Sequence, residues 1–251
     1  MALCRRIEGR GLTDTANRVK QLVGQIFRYA IATDRVSSDP TAALHGALSP
    51  HKSKHYASLK GGAAIGALMR AIDAYPQAVV RCALRFSALV FCRPGEIRRA
   101  EWQEVNFEGS EWRISAEKMK AGRPHIVPLS HQALATLEEL REFTGGQRWL
   151  FPSARRDGRC MSENTVRVAL RSMGYGNEDM TAHGFRSMAS TALNENGWPV
   201  DVIERQLAHA ERSAVRAAYN HAEYLGQRRE MMQWWGDWLD SQQKGRGRGG
   251  D

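Results

Sequence analysis

Residues 76–92, PQAVVRCALRFSALVFC, are apolar on nearly every side of a helical wheel. A helix without a wet face must be surrounded by other elements, so this segment is the centre of the fold. AAIGALMRAIDAY, immediately before it, also reads as a helix. So do SHQALATLEELREF, SENTVRVALRSMG, HGFRSMASTALNENG, WPVDVIERQLAH and YLGQRREMMQWWGDWLDSQ, together with a short segment over residues 214–219. Ser162 and Thr181 read as helix caps. Only residues 104–129 break the pattern. There EVNF, EWRIS and HIVPLS alternate like short strands, with EGS as a turn between the first two. The expected fold class is mainly α with a small antiparallel β-sheet.

The N-terminal part reads differently. Val19, Leu22, Val23, Ile26, Phe27 and Ala30 mark an amphipathic helix from Thr13 to about Arg35. SSDP ends it, and Pro40 opens a short second helix. Two helices are too few to bury a core of their own. HGALSPHKSKHYASLKGG is polar and basic, with few large apolar residues, and reads as a linker. The expected organisation is a helical piece over 1–48, a linker over 49–60, the main domain over 61–240 and a disordered basic tail over 241–251.

Charge narrows the partners. The chain of 251 residues has 36 Lys and Arg against 27 Asp and Glu, a formal net charge of +9. That surplus favours polyanions without saying anything about the fold. Four scattered cysteines show no CxxC spacing, and Cys82 and Cys92 sit in apolar sequence as small hydrophobes. No apolar run approaches a membrane span and no signal peptide opens the chain, so the expected compartment is the cytoplasm. His51 and His55 have an i, i+4 spacing seen at zinc sites, but no cysteine or carboxylate cluster joins them. A basic strap touching DNA, with Lys52 and Lys54, is the better reading. No metal and no cofactor are expected.

Six basic and phenolic residues then stand out by their chemistry. Arg93 lies in CRPGE with Glu96 three residues on, where the carboxylate can orient the guanidinium. Lys120 lies in KMKAGRPHIVPL near the expected turn Ala121–Gly122, with Lys118 as its competitor. His183 and Arg186 are three apart and share one face at a helix start, a favourable place for a phosphate. His209 ends QLAH, and Tyr219 follows in RAAYN. Tyr224 is an alternative phenol, and spacing alone does not choose between the two. Together these groups can neutralise a phosphodiester, protonate a leaving oxygen and attack phosphorus with a phenol. Trp234, Trp235 and Trp238 form an aromatic docking face, either within the domain or on a neighbouring subunit.

In RPGEIRRAEW, KMK before RPHIVPLS, MTAHGFRSMASTALNE, VIERQLAH, VRAAYNHAEYL and RREMMQWWGDWLD, the chain resembles the tyrosine recombinases, specifically integrases of satellite phages, prophages and genomic islands. The resemblance implies a DNA breaking-rejoining catalytic domain preceded by part of a helical DNA clamp. It implies that Arg93 and Arg186 clamp the scissile phosphate, with His209 adding a hydrogen bond. Lys120 would protonate the departing 5′ oxygen. His183 would help remove the proton of Tyr219, which would form a 3′-phosphotyrosine, and Glu96 would support. Arg123 and Arg205 would touch DNA, along with Lys52 and Lys54. Double-stranded attachment-site DNA, a homotetramer, a DNA-bending protein and an excisionase are the implied partners. Members of the family are longer, so the resemblance also implies that this chain starts inside the core-binding domain. A non-catalytic DNA-binding remnant is the rival reading.

Overall fold

The computed structural model describes residues 1–44, 46–50, 57–155, 158–209 and 224–245. The chain divides into two units, Met1–His55 and Tyr56–Asp251.

In the first unit, α1 (Ala2–Glu8) precedes α2 (Thr13–Ala32), and one 3-10 turn follows at Ala42–Leu44. The sequence had not announced α1. The helix expected at Pro40 is only that single turn, because the Asp39 carboxylate accepts from the Thr41 amide at 2.7 Å and fixes a tight local bend instead. Few residues are buried: Cys4, Ala16 and Leu48 form the cluster, with Ile7 and Val19 against it. The apolar stripe of α2 is not covered as its period suggested, since Leu22, Ile26 and Tyr29 are more than half exposed. Polar bonds do much of the fastening. Glu8 accepts from the Ser49 amide at 2.8 Å, and Asn17 donates to the Ser49 carbonyl at 3.0 Å.

The second unit is built around α4 (Ala78–Val90), the helix whose sequence has no wet face. α3 (Gly62–Asp73) and α6 (His131–Thr144) pack on it, as do α7 (Thr165–Ser172), α8 (Gly184–Glu195) and α10 (Leu225–Gln243). The short helices α5 (Pro94–Ile97) and α9 (Val200–Gln206) complete the helical set among the described residues. Phe86 of α4 lies 5.6 Å from the Trp112 ring and 5.9 Å from that of Phe151, all three fully buried. The two arginines of α4 find acids on its neighbours: Arg81 and Arg85 both meet Glu139 of α6, and Arg85 also meets Asp73 of α3.

The sheet is as the alternation suggested. β1 (Val105–Asn106), β2 (Glu111–Ile114) and β3 (His125–Pro128) are antiparallel in the order β1-β2-β3. Val105 pairs with Trp112 and Ile114 with His125. Helix α7 starts later than expected, at Thr165; Ser162 accepts from the Asn164 amide at 3.3 Å and turns the chain before the helix rather than capping it. Thr181 does take the first amide of α8, that of Gly184, at 3.0 Å. Of the tryptophans in α10, Trp235 is wholly buried, meets Phe91 edge-on at 6.2 Å and donates to the Ala88 carbonyl. The aromatic run thus docks within its own unit. Cys82 and Cys92 are buried thiols, and burial pushes both up to about 12. The segment 214–219 and the tail beyond residue 245 lie outside the described residues.

Two polar groups, Lys118 and His125, tie the segment around the sheet to its neighbours. Lys118, at the end of the 3-10 turn Ala116–Lys118, donates to Glu101 at 2.6 Å, Glu104 at 2.7 Å and the Arg99 carbonyl at 2.9 Å. Arg148 first and Lys118 second hold Glu101 down to about 2. His125 of β3 donates through Nε2 to the Gln206 carbonyl of α9 at 3.2 Å. Burial, and then the charges of Arg228, Arg205 and Arg186, push His125 down to about 3. An unfolded histidine titrates near ~6.5, so below that pH the unfolded chain takes the extra proton. Stability is therefore full above about pH 6.5 and is lost as the pH falls toward about 3. Unfolding free energies from urea titrations should drop by an amount on the order of a few kcal/mol from about pH 7 to about pH 4, and His125→Gln should flatten that dependence. Lys118→Met, which takes the ammonium from two carboxylates, is expected to cost about 1–3 kcal/mol in the same measurement.

Candidate active site

The site grows from the end of α4. Phe91 takes a left-handed conformation, φ 38° and ψ 35°, which stops the helix and turns its carbonyl outward. Such a backbone is strained for a side chain with a Cβ, by about 1–2 kcal/mol. Two residues on, Arg93 starts α5 with Pro94 at the first helical position. Glu96 holds Arg93 twice. One carboxylate oxygen accepts from the Arg93 amide at 2.9 Å and the other from Nη1 at 2.8 Å. The i, i+3 pair visible in the sequence is thus a capping box that also aims the guanidinium.

Arg186 arrives from the first turn of α8. It is 8% exposed, and its Nη1 donates to the Phe91 carbonyl at 2.9 Å. Its Nη2 donates to the Leu207 carbonyl at 2.7 Å and meets His209 Nε2 at 3.2 Å. Gly184 lets α8 come this close: a Cβ there would sit 2.5 Å from the Ala57 carbonyl.

The loop Leu207–His209, just beyond α9, joins the two arginines. Ala208 is also left-handed, at φ 49°, and its carbonyl accepts from Arg93 Nη2 at 3.0 Å. Both strained residues therefore present a carbonyl to a site arginine. Non-glycine residues in this region cluster at functional sites. These bonds use two of Arg93's five N–H donors and three of Arg186's, so each guanidinium retains donors for an anion. Burial, and then the charge of Arg93, lower Arg186 from its usual value, a sign of cations pressed together.

His183 occupies the cap position of α8 and is half-buried. Burial, then Arg186, then Arg93 lower its pKa, so the imidazole is neutral near pH 7 and can accept a proton. Together with Arg93, Glu96, Lys120 and Glu163 it lines an open cleft of about 580 Å³. Lys120 is exposed on the connection between β2 and β3. Its competitor, Lys118, lines the same cleft but spends its ammonium on two carboxylates and a carbonyl. Arg123 is exposed on the same connection, and Arg205 is half-buried on α9. Tyr224 is half-buried at the start of α10, packed against the core. Tyr219, Lys52, Lys54, His51 and His55 lie outside the described residues. Among the described residues, no three His, Cys, Asp or Glu side chains gather as a metal site.

Sequence reasoning missed four contributors. Glu204 accepts from His209 Nδ1 at 2.6 Å. The Phe91 and Ala208 carbonyls carry no side-chain signature. Arg228 of α10 is fully buried and donates to Gln206 Oε1, supporting the loop from beneath. Only Glu204 had a signal, an acid five residues before a histidine in VIERQLAH.

The chain is similar to known proteins. Residues 63–225 match the phage integrase family, and residues 1–47 match the phage integrase central domain. The chain is 42% identical to the integrase of Enterobacteria phage P4, over 96% of this chain and 58% of that protein. It is 38% identical to prophage integrase IntA of Escherichia coli (strain K12), over 95% of this chain and 58% of that protein. It therefore spans about 58% of the length of these two relatives. The fold is similar to that of a lambda integrase dimer bound to a COC' core site, with TM-score 0.65 and 21% identity over 84% of this chain and 77% of that one. It is also similar to the Tn1549 transposon integrase in complex with circular intermediate DNA, with TM-score 0.59 and 15% identity over 92% of this chain and 82% of that one. With the family match running through most of its length, the chain belongs to the phage integrase family.

Proposed function

We propose that this chain is a site-specific DNA recombinase, cutting and rejoining DNA through a 3′-phosphotyrosine on Tyr219 to integrate or excise a mobile element. The observation that carries the reading is the tethering of Arg93 and Arg186 to one loop, Leu207–His209, beside a cleft lined by Lys120 and His183. A phosphodiester resists attack because its negative charge repels a nucleophile. Two guanidinium groups on its non-bridging oxygens remove that obstacle without a metal or cofactor. Neutral His183 then takes the phenol proton as the Tyr219 oxygen bonds to phosphorus. The bond from phosphorus to the 5′ oxygen breaks, and Lys120 protonates that oxygen. The covalent ester preserves the bond energy, so rejoining to a new strand needs no nucleotide cofactor. Glu96 supports by holding Arg93 in place.

The surplus of +9 supports a DNA partner. In this reading Arg123, Arg205, Lys52 and Lys54 contact the backbone around the cut, residues 1–48 form part of the clamp on the duplex, 49–60 link and 61–240 catalyse. The related lambda integrase has been seen as a tetramer bound to a Holliday junction, which supports a homotetramer on paired attachment sites here. A DNA-bending protein and an excisionase are the accessory partners this role implies. No described helix is long and apolar enough to cross a membrane, and work on DNA assigns the chain to the cytoplasm.

A nicked attachment-site substrate tests the chemistry. Tyr219→Phe should abolish the covalent adduct on a denaturing gel and leave DNA affinity within a few-fold, whereas Tyr224→Phe should still form it. A salt-sensitive gel shift with no adduct from the unaltered chain would support the binding remnant instead. Arg186→Ala should slow adduct formation by roughly 10²–10³-fold, read in single-turnover kinetics, because it leaves phosphate charge uncompensated.

A further inference from the structure

We propose that Glu204 is a positioning residue that makes phosphate engagement by His209 depend on the uptake of one proton. The inference rests on the assignment of His209 as a phosphate donor and deepens it.

The bonds around His209 fix its tautomer. An arginine donates and never accepts, so the contact of Arg186 Nη2 with His209 Nε2 at 3.2 Å places a lone pair on Nε2. The ring proton is then on Nδ1, where it is donated to the Glu204 carboxylate at 2.6 Å. The backbone strengthens this pairing, because the His209 amide also donates to the Glu204 carbonyl at 3.2 Å and closes the end of α9. Among the described residues, Arg186 from α8 and Glu204 from α9 meet the ring, and Arg93 bonds the neighbouring Ala208 carbonyl.

In that state the ring turns a lone pair toward Arg186, and a phosphate oxygen would meet repulsion there. For His209 to donate, Nε2 must gain a hydrogen. Moving the proton across from Nδ1 would leave a bare nitrogen against the Glu204 carboxylate. Adding a proton from water to Nε2 keeps the Glu204 bond and creates the donor, and the imidazolium is stabilised by the carboxylate. Arg186 Nη2 then loses its acceptor on the ring and can turn that N–H to the phosphate. One N–H bond forms at Nε2 as one O–H bond of a solvent hydronium breaks, releasing water.

The test reads the ring nitrogens of ¹⁵N-histidine-labelled full chain by NMR, free and with a short mixed-sequence DNA duplex at low salt. Free protein near neutral pH should show His209 bare at Nε2 and protonated at Nδ1. The duplex should protonate both nitrogens, raising the midpoint for the second proton by about 1 pH or more. In Glu204→Gln, which keeps an acceptor but drops the charge, the duplex should raise it by less. A free ring protonated at Nε2, or an equal rise in Glu204→Gln, would overturn the proposal while leaving His209 at the phosphate. If the His209 signals ignore a bound duplex altogether, the underlying assignment of His209 fails as well.

Discussion

Two like charges held close together govern this structure. Arg93 and Arg186 repel each other, and Arg186 is deeply buried as well. Nothing in either helix alone would keep them together. The Glu96 carboxylate and the carbonyls of Phe91, Leu207 and Ala208 do so, each accepting from a guanidinium nitrogen. A buried charge without such partners is strongly destabilising, so the site has to be built from acceptors first. In the proposed role an anion between the two arginines would offset that repulsion, and donors fixed in place by the fold are the condition for electrostatic catalysis.

That arrangement depends on elements far apart in sequence. Phe91 ends the central helix, Arg186 opens α8, and Leu207 and Ala208 leave α9. The central helix positions the first, the tight approach at Gly184 the second, and the buried Arg228–Gln206 bond the third. Core packing and site geometry are thus one problem in this unit. The small unit Met1–His55 is different in kind, with a three-residue buried cluster and a largely exposed apolar stripe on α2.

Much of the larger unit was legible from the residues. A helix apolar on all sides had to be central, and alternation placed the three strands within a residue or two of their observed ends. The Arg93–Glu96 pair followed from i, i+3 spacing. The rest was hidden for identifiable reasons. Left-handed Phe91 and Ala208 carry no glycine or asparagine to announce them; tertiary bonds to arginine hold them there. Buried Arg228 looked like any surface arginine of an amphipathic helix. α7 began after Ser162 because local side-chain bonding favoured a turn first. On α2, periodicity marked a face correctly as apolar but could not say that this unit lacks the mass to cover it.

The central claim is that one backbone phosphate is gripped by both arginines with a phenol in line behind it. A crystal structure of the chain with a cleaved attachment-site duplex and orthovanadate, a mimic of the five-coordinate phosphorus, tests it directly. The account predicts vanadate oxygens within hydrogen-bond reach of Arg93, Arg186 and His209, with the Tyr219 oxygen at one apex. Vanadate held away from both guanidinium groups, or carrying Tyr224 at that apex, would contradict it.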